Sequence, residues 1–381
     1  MKRIMYIANI RLPTEKAHGI QIMKTCEALA ERGIEVELVV PKRKNKITTD
    51  PFEFYTVKRK FKITTLWCLD FVSSNRLGKL GFWLETLTFY LSVRTYMRQT
   101  KSALYYTRDL AIAFWLSKKN SEVYYEIHTL PEQASSNYRE TWNNSKKIIV
   151  ISEGLRKGLE NFGIAKEKIL VAPDSVEPDQ FDITATREEC REKLQIVLDE
   201  KVVVYTGHLY AWKGADTCAE AAKYITDPHI HIYFVGGTEA DVALFRSKYG
   251  RERIHILGWR PHEEVPFWLK AADALVIPNS LHTKIGSLYT SPLKLFEYMC
   301  SGTPIVASRV PALEEVVNEK EVCFFTPDSP ESLAHAVERV VNQESAVWKQ
   351  AAQKLVARAR DEYSWNKRGE IIAQFLFDTA N

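Results

Sequence analysis

Nothing in these 381 residues matches Gly-x-Gly-x-x-Gly. That removes the fingerprint an NAD-dependent oxidoreductase carries between a strand and a helix. No Asp-x-Asp pair follows a strand-like run, and His, Asp and Glu do not cluster at metal-ligand spacing, so no metal centre is expected. The six cysteines (Cys26, Cys68, Cys190, Cys218, Cys300 and Cys323) lack zinc or redox spacing. Cys26 and Cys300 fall on apolar helix faces and read as small core residues. No run of about 18 uncharged apolar residues exists, which argues against a spanning helix. The N-terminus enters a strand without a basic-apolar-small signal pattern, so the reducing cytoplasm is the expected compartment. Internal repeats and low-complexity segments are also missing.

What is present is globular. Apolar residues make up 45% of the chain and charged residues 26%, and the length is comfortable for two domains. The net charge of +4 is unevenly spread. Between Pro41 and Lys101 thirteen bases, among them Lys58, Arg59, Lys60, Lys62, Arg76, Lys79 and Lys101, face four acids, a local balance of +9. Inside this segment Leu80–Met97 is apolar on nearly all sides, with Phe82, Trp83, Phe89, Tyr90 and Tyr96. It reads either as a core helix under a sheet or as a basic, aromatic surface for anionic headgroups or a lipid acceptor. Peripheral membrane contact through residues 41–101 therefore stays open. Nucleic acid is not an expected partner, because no recognition fold or RNA motif accompanies the charge.

Strand-like runs alternate with helical patterns, the mark of parallel α/β sheets. Strands are expected at Arg3–Ala8, Glu35–Val40, Ala103–Tyr106, Val123–Ile127, Ile148–Ile151 and Ile169–Ala172. Helices fit Ile20–Glu31, Leu80–Met97, Leu110–Ser117 and Glu153–Asn161. Pro173 to Phe181 reads as a linker. A second series has strands Val202–Thr206, Ile230–Val235, Ile254–Leu257, Ala274–Ile277 and Pro304–Ala307, with helices Gly214–Tyr224, Glu239–Lys248, Glu263–Lys270 and Leu293–Cys300. An amphipathic helix, Ser364–Asp378, ends the chain. The expected domains are 1–175, 176–363 and a terminal helix over 364–381. Ligand loops at the strands' C-terminal ends then place a cleft between the domains.

The most informative run is Ser291 to Ser308. Ser291 suits a helix N-cap and Pro292 a first-turn proline. Leu293, Phe296 and Cys300 recur at helical spacing, Gly302 ends the helix, and Thr303 to Ala307 reads as a buried strand. A helix start is an anion site, and Glu297, one turn in, can accept from sugar hydroxyls. Upstream, Gly207 ends a strand and Lys213 opens the next helix, where its ammonium can neutralise a diphosphate. His18-Gly19 follows the first strand's loop, and His128 ends the strand Tyr124–Ile127. Taken singly, each of these has an ordinary alternative: a solvated lysine, a surface glutamate, a turn glycine or a hydrogen-bonded histidine.

Taken in order, these segments resemble the family-4 glycosyltransferases of the GT-B fold over nearly the whole chain. Arg11 to Gln21 looks like the family's glycine loop, Glu126-Ile127-His128 like its mid-domain strand end, and Ile151 to Leu155 like its Ile-Ser-x-x-Leu helix start. Tyr205 to Gly214 is similar to its phosphate-binding segment, and Ser291 onward to its signature region. The resemblance implies two Rossmann-like domains with a C-terminal helix crossing back to the first. It implies a retaining, metal-independent transfer needing no cofactor, in which a hexosyl group moves from a nucleotide-diphosphate-sugar to a glycan, glycolipid or other acceptor in polysaccharide or glycoconjugate assembly. The N-domain would bind acceptor and the C-domain donor. His128, Lys213 and Glu297 would act at the reacting centre. Gly19, Gly207, His208, Gly258, Trp259, Tyr289, Ser291, Leu293 and Lys294 would line the donor. Two departures stand out: His208 replaces the family's arginine, and Tyr289 replaces the first glutamate of its Glu-x7-Glu pattern. A non-catalytic nucleotide-sugar-binding protein of the same fold is the alternative these departures favour.

Overall fold

The computed structural model describes residues 2–71, 78–100, 104–119 and 122–377. Arg76, Lys101, Ala103, Asp378 and the Lys79 side chain lie outside the described residues. The chain divides into two compact units. The first holds Met1–Ile151, Leu155–Pro173 and Trp365–Asn381, and the second holds Ser152–Gly154 and Asp174–Ser364.

Seven parallel strands build the first unit: β1 (Arg3–Ile7), β2 (Glu35–Pro41), β3 (Lys62–Leu66), β4 (Leu104–Thr107), β5 (Val123–Ile127), β6 (Lys147–Val150) and β7 (Ile169–Val171). Their order is β3-β2-β1-β4-β5-β6-β7. Six parallel strands build the second: β8 (Lys201–Thr206), β9 (Ile230–Val235), β10 (Ile254–Gly258), β11 (Ala274–Ile277), β12 (Ile305–Ser308) and β13 (Cys323–Phe325), ordered β10-β9-β8-β11-β12-β13. Each order reverses once, beside β1 and beside β8. In doubly wound sheets that reversal opens a crevice at the strands' C-terminal ends, where ligands bind.

The runs are continuously apolar because helices cover both faces of each sheet. In the second unit Val202, Val204, Tyr233 and Val235 pack on one side with Leu295, Phe296 and Met299. Val203, Tyr205, Ile232 and Phe234 pack on the other with Cys218, Phe245 and Leu333. In the first unit Ile4, Tyr6, Val36, Leu38 and Tyr106 share a core with Ile22, Met23, Cys26 and Leu29 of the helix Ala17–Glu31 and with Ile372 and Leu376. All six cysteines are buried free thiols.

Two strands and several helices go beyond the sequence expectation. β3, Lys-Ile-Thr-Thr-Leu, is an edge strand with no fully buried residue, so its signal is weak. β13 has three residues. Helix Arg187–Lys193, beyond the expected linker, is polar but opens with a Thr186–Glu189 capping box, a cue available in the sequence. Two local expectations need correction. The signature helix is Leu293–Ser301 with Pro292, not Ser291, at the N-cap position. The Ser291 hydroxyl is turned instead to accept from the Asp174 N–H at 2.8 Å. Lys213 does not open a helix either. It ends a 3-10 turn, Ala211–Lys213, and the next helix runs Ala215–Ala221.

The terminal helix Trp365–Phe377 belongs to the first unit and packs along Ala17–Glu31. Gly369 marks the contact: a Cβ there would sit 2.6 Å from the Ala28 Cβ. Gly369→Val should push these helices apart and cost about 1–3 kcal/mol, the usual range for overpacking a tight contact. Urea unfolding of the first unit's transition measures it, and an unchanged midpoint would rule this packing out.

Candidate functional site

The second unit's site begins where β8 runs out. Gly207 adopts φ +116° and donates its N–H to Val235 at 2.8 Å. Gly236, after β9, has φ +123°, and a Cβ on it would lie 2.6 Å from the Gly207 carbonyl oxygen. Only glycine meets both demands, so the two loops approach backbone to backbone. The open space this leaves is where the cations point. The Gly207 Cβ position lies 3.7 Å from Lys294 Nζ and 3.9 Å from Lys213 Nζ.

Lys294 is 7% exposed, and its ammonium has no hydrogen-bond partner in this unit. It sits 3.8 Å from the Tyr205 ring centroid, which returns part of the lost hydration as a cation–π contact. Burial, then repulsion from Lys213, holds its pKa well below the usual lysine range. Burial lowers Lys213 as well, partly offset by Glu297. Glu297 is partly buried, and its pKa is raised by that burial against the pull of His262, Lys294 and Lys213. The start of Leu293–Ser301 adds backbone N–H groups and a positive dipole end beside Lys294. Lysine ammonium groups, a glycine loop and a helix start make an anion site with a carboxylate at its side.

Around it, the His208 ring stacks on Tyr210 at 4.9 Å, and Tyr205 donates to the His208 carbonyl at 2.7 Å. Gly258 ends β10 and accepts from the Gly236 N–H at 2.8 Å, and Trp259 beyond it is 58% exposed. Tyr289 is buried in a π-turn, Ile285–Tyr289. Thus Gly207, Lys213, Leu293, Lys294 and Glu297 come together, and Gly258 touches the same glycine loops. Gly236 and Gly237 were not anticipated, although a glycine pair directly after an apolar strand was a readable cue. His262 was also missed, since a lone loop histidine carries no signal.

In the first unit Gly19 and His128 occupy different surroundings. Gly19 lies in the first turns of Ala17–Glu31, where the Tyr55 hydroxyl packs over it while bonding the Thr14 N–H and C=O at 2.7 Å each. That contact alone accounts for a glycine there. His128 Nε2 meets Glu126 Oε1 at 2.6 Å. The same oxygen accepts from Arg368 at 3.0 Å, and Tyr106 donates to the other. Arg368 also donates to Thr25 at 2.9 Å and to the Pro173 carbonyl at 3.0 Å. Glu126 stays ionised, held well below the usual range by Arg368 and His128 despite burial. Burial and Arg108 hold His128 down at about 4, so its imidazole is neutral. An ionised carboxylate only accepts, so Nε2 carries the proton and Nδ1 offers a lone pair.

Residues 19–180 match the model described as Glycosyltransferase Family 4, and residues 200–343 match that described as Glycosyl transferases group 1. The chain belongs to the family-4 glycosyltransferases. An uncharacterised glycosyltransferase of Methanocaldococcus jannaschii is 27% identical over 52% of this chain and 51% of its own. An amylovoran biosynthesis glycosyltransferase of Erwinia amylovora is 24% identical over 62% of this chain and 56% of its own. The chain thus spans about half the length of the curated relatives it matches. The crystal structure of Anabaena HepE in complex with UDP superposes with a TM-score of 0.74 at 16% identity, over 99% of both chains. It shows this family-4 chain to have the same two-domain α/β fold.

The depressed lysines give a pH-linked test. An anion beside Lys294 and Lys213 favours their charged forms, so binding takes up protons wherever the free groups are partly neutral. Affinity for inorganic pyrophosphate should therefore fall as pH rises through the lowered pKa of Lys294. Calorimetry in buffers of different ionisation enthalpy should register proton uptake, and Lys294→Met should reduce it, leaving only what Lys213 contributes. Uptake undiminished in Lys294→Met would exclude this group.

Proposed function

We propose that the chain is a retaining glycosyltransferase that uses a nucleoside-diphosphate-sugar. The diphosphate would lie against Gly207, Lys213, Lys294 and the first N–H groups of Leu293–Ser301. Glu297 would accept from the ribose hydroxyls, and Tyr289, Ser291, His208, Gly258 and Trp259 would border the nucleotide and sugar. The observation that carries this reading is the buried Lys294 ammonium without a hydrogen-bond partner, beside a second lysine at a sheet's switch point. HepE, of the same fold, has been crystallised with UDP, which supports a nucleoside diphosphate as the anion.

In the proposed reaction the acceptor oxygen bonds to the anomeric carbon as that carbon's bond to the diphosphate oxygen breaks. The acceptor's proton passes to the departing phosphate on the same face. Lys213, Lys294 and the helix start would stabilise the charge that grows there, the kind of fixed electrostatic support that acts most strongly in a partly dry site. The neutral Nδ1 of His128 would accept from a sugar hydroxyl, with Glu126 and Arg368 holding the ring. The Erwinia relative supports a polysaccharide or glycoconjugate acceptor.

A lipid-linked acceptor has a further support. Helix Gly78–Gln99 buries Glu85, Thr86, Phe89 and Val93, yet exposes Leu80, Trp83, Leu87 and Leu91 along one stripe, with Trp67 exposed nearby in sequence. Several of the segment's bases are already paired: Lys58 and Lys60 with Glu31, Lys62 with Glu37, Arg59 with Asp50, Arg43 with Glu85. Among the described residues no helix is long and apolar enough to cross a membrane. The proposed membrane contact is therefore peripheral and led by the apolar stripe, with charge in a secondary role.

Glu297→Ala should weaken UDP and donor binding by about 1–3 kcal/mol with the fold retained, because a charged acceptor is lost. Calorimetry with a panel of nucleoside diphosphates checks it, and undiminished affinity would remove Glu297 from the site. Trp83→Ser with Leu87→Ser should reduce flotation with anionic vesicles while leaving nucleotide affinity unchanged. Wild-type protein that never floats would dismiss the membrane contact.

A further inference from the structure

At the opposite end of the second sheet lies a cluster that the anion site does not use. Glu200 immediately precedes β8, His231 is the second residue of β9 and His255 the second of β10. These strands are neighbours in the order β10-β9-β8. Strand side chains alternate between faces. Ile230, Ile232, Ile254 and Ile256 face one core, so His231 and His255 face the other side, with Tyr233. His255 is the direct cross-strand partner of Tyr233. Three potential ligands thereby meet, although 31 and 24 residues separate them along the chain.

We propose that Glu200, His231 and His255 form a binding site for a first-row divalent cation of the Zn²⁺ type. His231 Nδ1 lies 3.0 Å from His255 Nε2 and 3.7 Å from Glu200 Oε2. All three ligand atoms fall within 4.8 Å of one another. With metal–nitrogen bonds of about 2.0–2.1 Å, the ligand atoms of a tetrahedral site stand about 3.3–3.4 Å apart. These two edges bracket that value, and the third lies within 4.8 Å.

The surroundings match what such a site needs. Tyr233 donates to Glu200 Oε2 at 2.5 Å, and its ring stacks on His255 at 4.2 Å between centroids. One outer residue thus orients two ligands, as the supporting shell of metal sites commonly does. The side chains of His231 and Glu200 retain 19% and 15% exposure, enough for an ion to enter and for water to complete the coordination. Arg191 is committed to Asp273 at 2.6 Å and to the carbonyls of Ala271, Leu198 and Glu200, so it leaves the Glu200 carboxylate alone. A hydrogen bond between the two rings takes one proton, and a tautomer in which neither facing nitrogen carries it presents both lone pairs to an ion. Two imidazoles and one carboxylate suit Zn²⁺, Ni²⁺ or Cu²⁺ better than Mg²⁺ or Ca²⁺. The ion would clamp three adjacent strands at their N-terminal ends, while Gly207 and Gly258 lie at their C-terminal ends. It would stabilise this unit and take no part in transfer.

The test uses the full chain, stripped with a chelator and titrated with ZnCl₂ by calorimetry. One equivalent should bind per chain and raise the melting temperature, since an ion that binds only the folded state stabilises it by mass action. Co²⁺ should give the visible bands of a tetrahedral nitrogen–oxygen site. His231→Ala with His255→Ala should remove both signals without changing UDP affinity. Tyr233→Phe, which preserves shape, should weaken Zn²⁺ binding by about 10–100-fold. Should the double variant fail to fold, Tyr233→Phe decides, and unchanged affinity there overturns the proposal. Absence of uptake at micromolar Zn²⁺ overturns it too. So does uptake that persists in a folded double variant, because the ion would then sit elsewhere, for example on a thiol.

Discussion

Two lysine side chains are held against one glycine at the end of β8, and much of the second unit is arranged around keeping them there. A buried ammonium without a partner is costly, and a second ammonium nearby adds to the cost. Relaxation is blocked on most sides. Lys294 is fixed by its place in the first turn of Leu293–Ser301 and lies over the Tyr205 ring. That helix is anchored in the core by Leu295, Phe296 and Met299. Its Tyr298 hydroxyl accepts from the Thr206 N–H at 2.8 Å, tying the helix to the last residue of β8. The folded unit therefore carries an electrostatic penalty that an incoming polyanion would relieve. Hydrophobic packing around the site supplies the stability that makes such a penalty tolerable.

The first unit handles buried charge in the opposite way. Glu126 is 2% exposed, and Arg368, Tyr106 and His128 satisfy its oxygens. Its balancing cation comes from the chain's last described helix, 242 residues away in sequence. Removing that cation would leave a carboxylate buried with one neutral imidazole and one phenol. The return of the C-terminal helix to this unit is thus more than packing, because Arg368 keeps Glu126 ionised and that carboxylate sets the tautomer of His128. One unit keeps its charge compensated and its histidine neutral; the other leaves Lys294 without a hydrogen-bond partner and offsets Lys213 only in part.

The sequence carried most of the strand ladder because buried parallel strands leave continuous apolar runs, and Val123–Ile127, Ile230–Val235 and Ala274–Ile277 have the bounds expected for them. Edge strands leave little trace, which is why Lys62–Leu66 escaped notice. The helices from Arg187 to Lys193 and from Pro330 to Glu362 sit on the outer layers, where polar residues blur the period. At the anion site Gly207, Lys213 and Glu297 could be picked out because loops after strands and helix starts have fixed chemistry. The burial of Lys294 could not, since nothing in Ser-Pro-Leu-Lys says that the lysine points inward. Nor could the role of Arg368, which depends on where a distant helix lands. The metal-type cluster was invisible for the same reason. Ligand spacing in sequence detects sites built on one loop or helix, whereas Glu200, His231 and His255 meet only through strand register.

Register also settles how the charge-rich segment should be read. Counting Pro41 to Lys101 by itself gives a strongly basic stretch, because Glu31 and Glu37 fall outside the window. In the fold Glu37 lies on β2, and its carboxylate collects Lys62, Thr64, Tyr96 and Arg3. Glu31, at the end of Ala17–Glu31, collects Lys58 and Lys60. The field of the segment is thereby reduced before any partner arrives, and exposed pairs of this kind contribute little once screened by salt. What the pairing cannot neutralise is apolar area. Leu80, Trp83, Leu87 and Leu91 recur at helical spacing and remain exposed although the opposite side of the same helix is buried to Phe89 and Val93. A helix with two apolar faces has one more than its own unit uses, so the unspent face, rather than the charge count, is the stronger physical argument for a surface that meets something else.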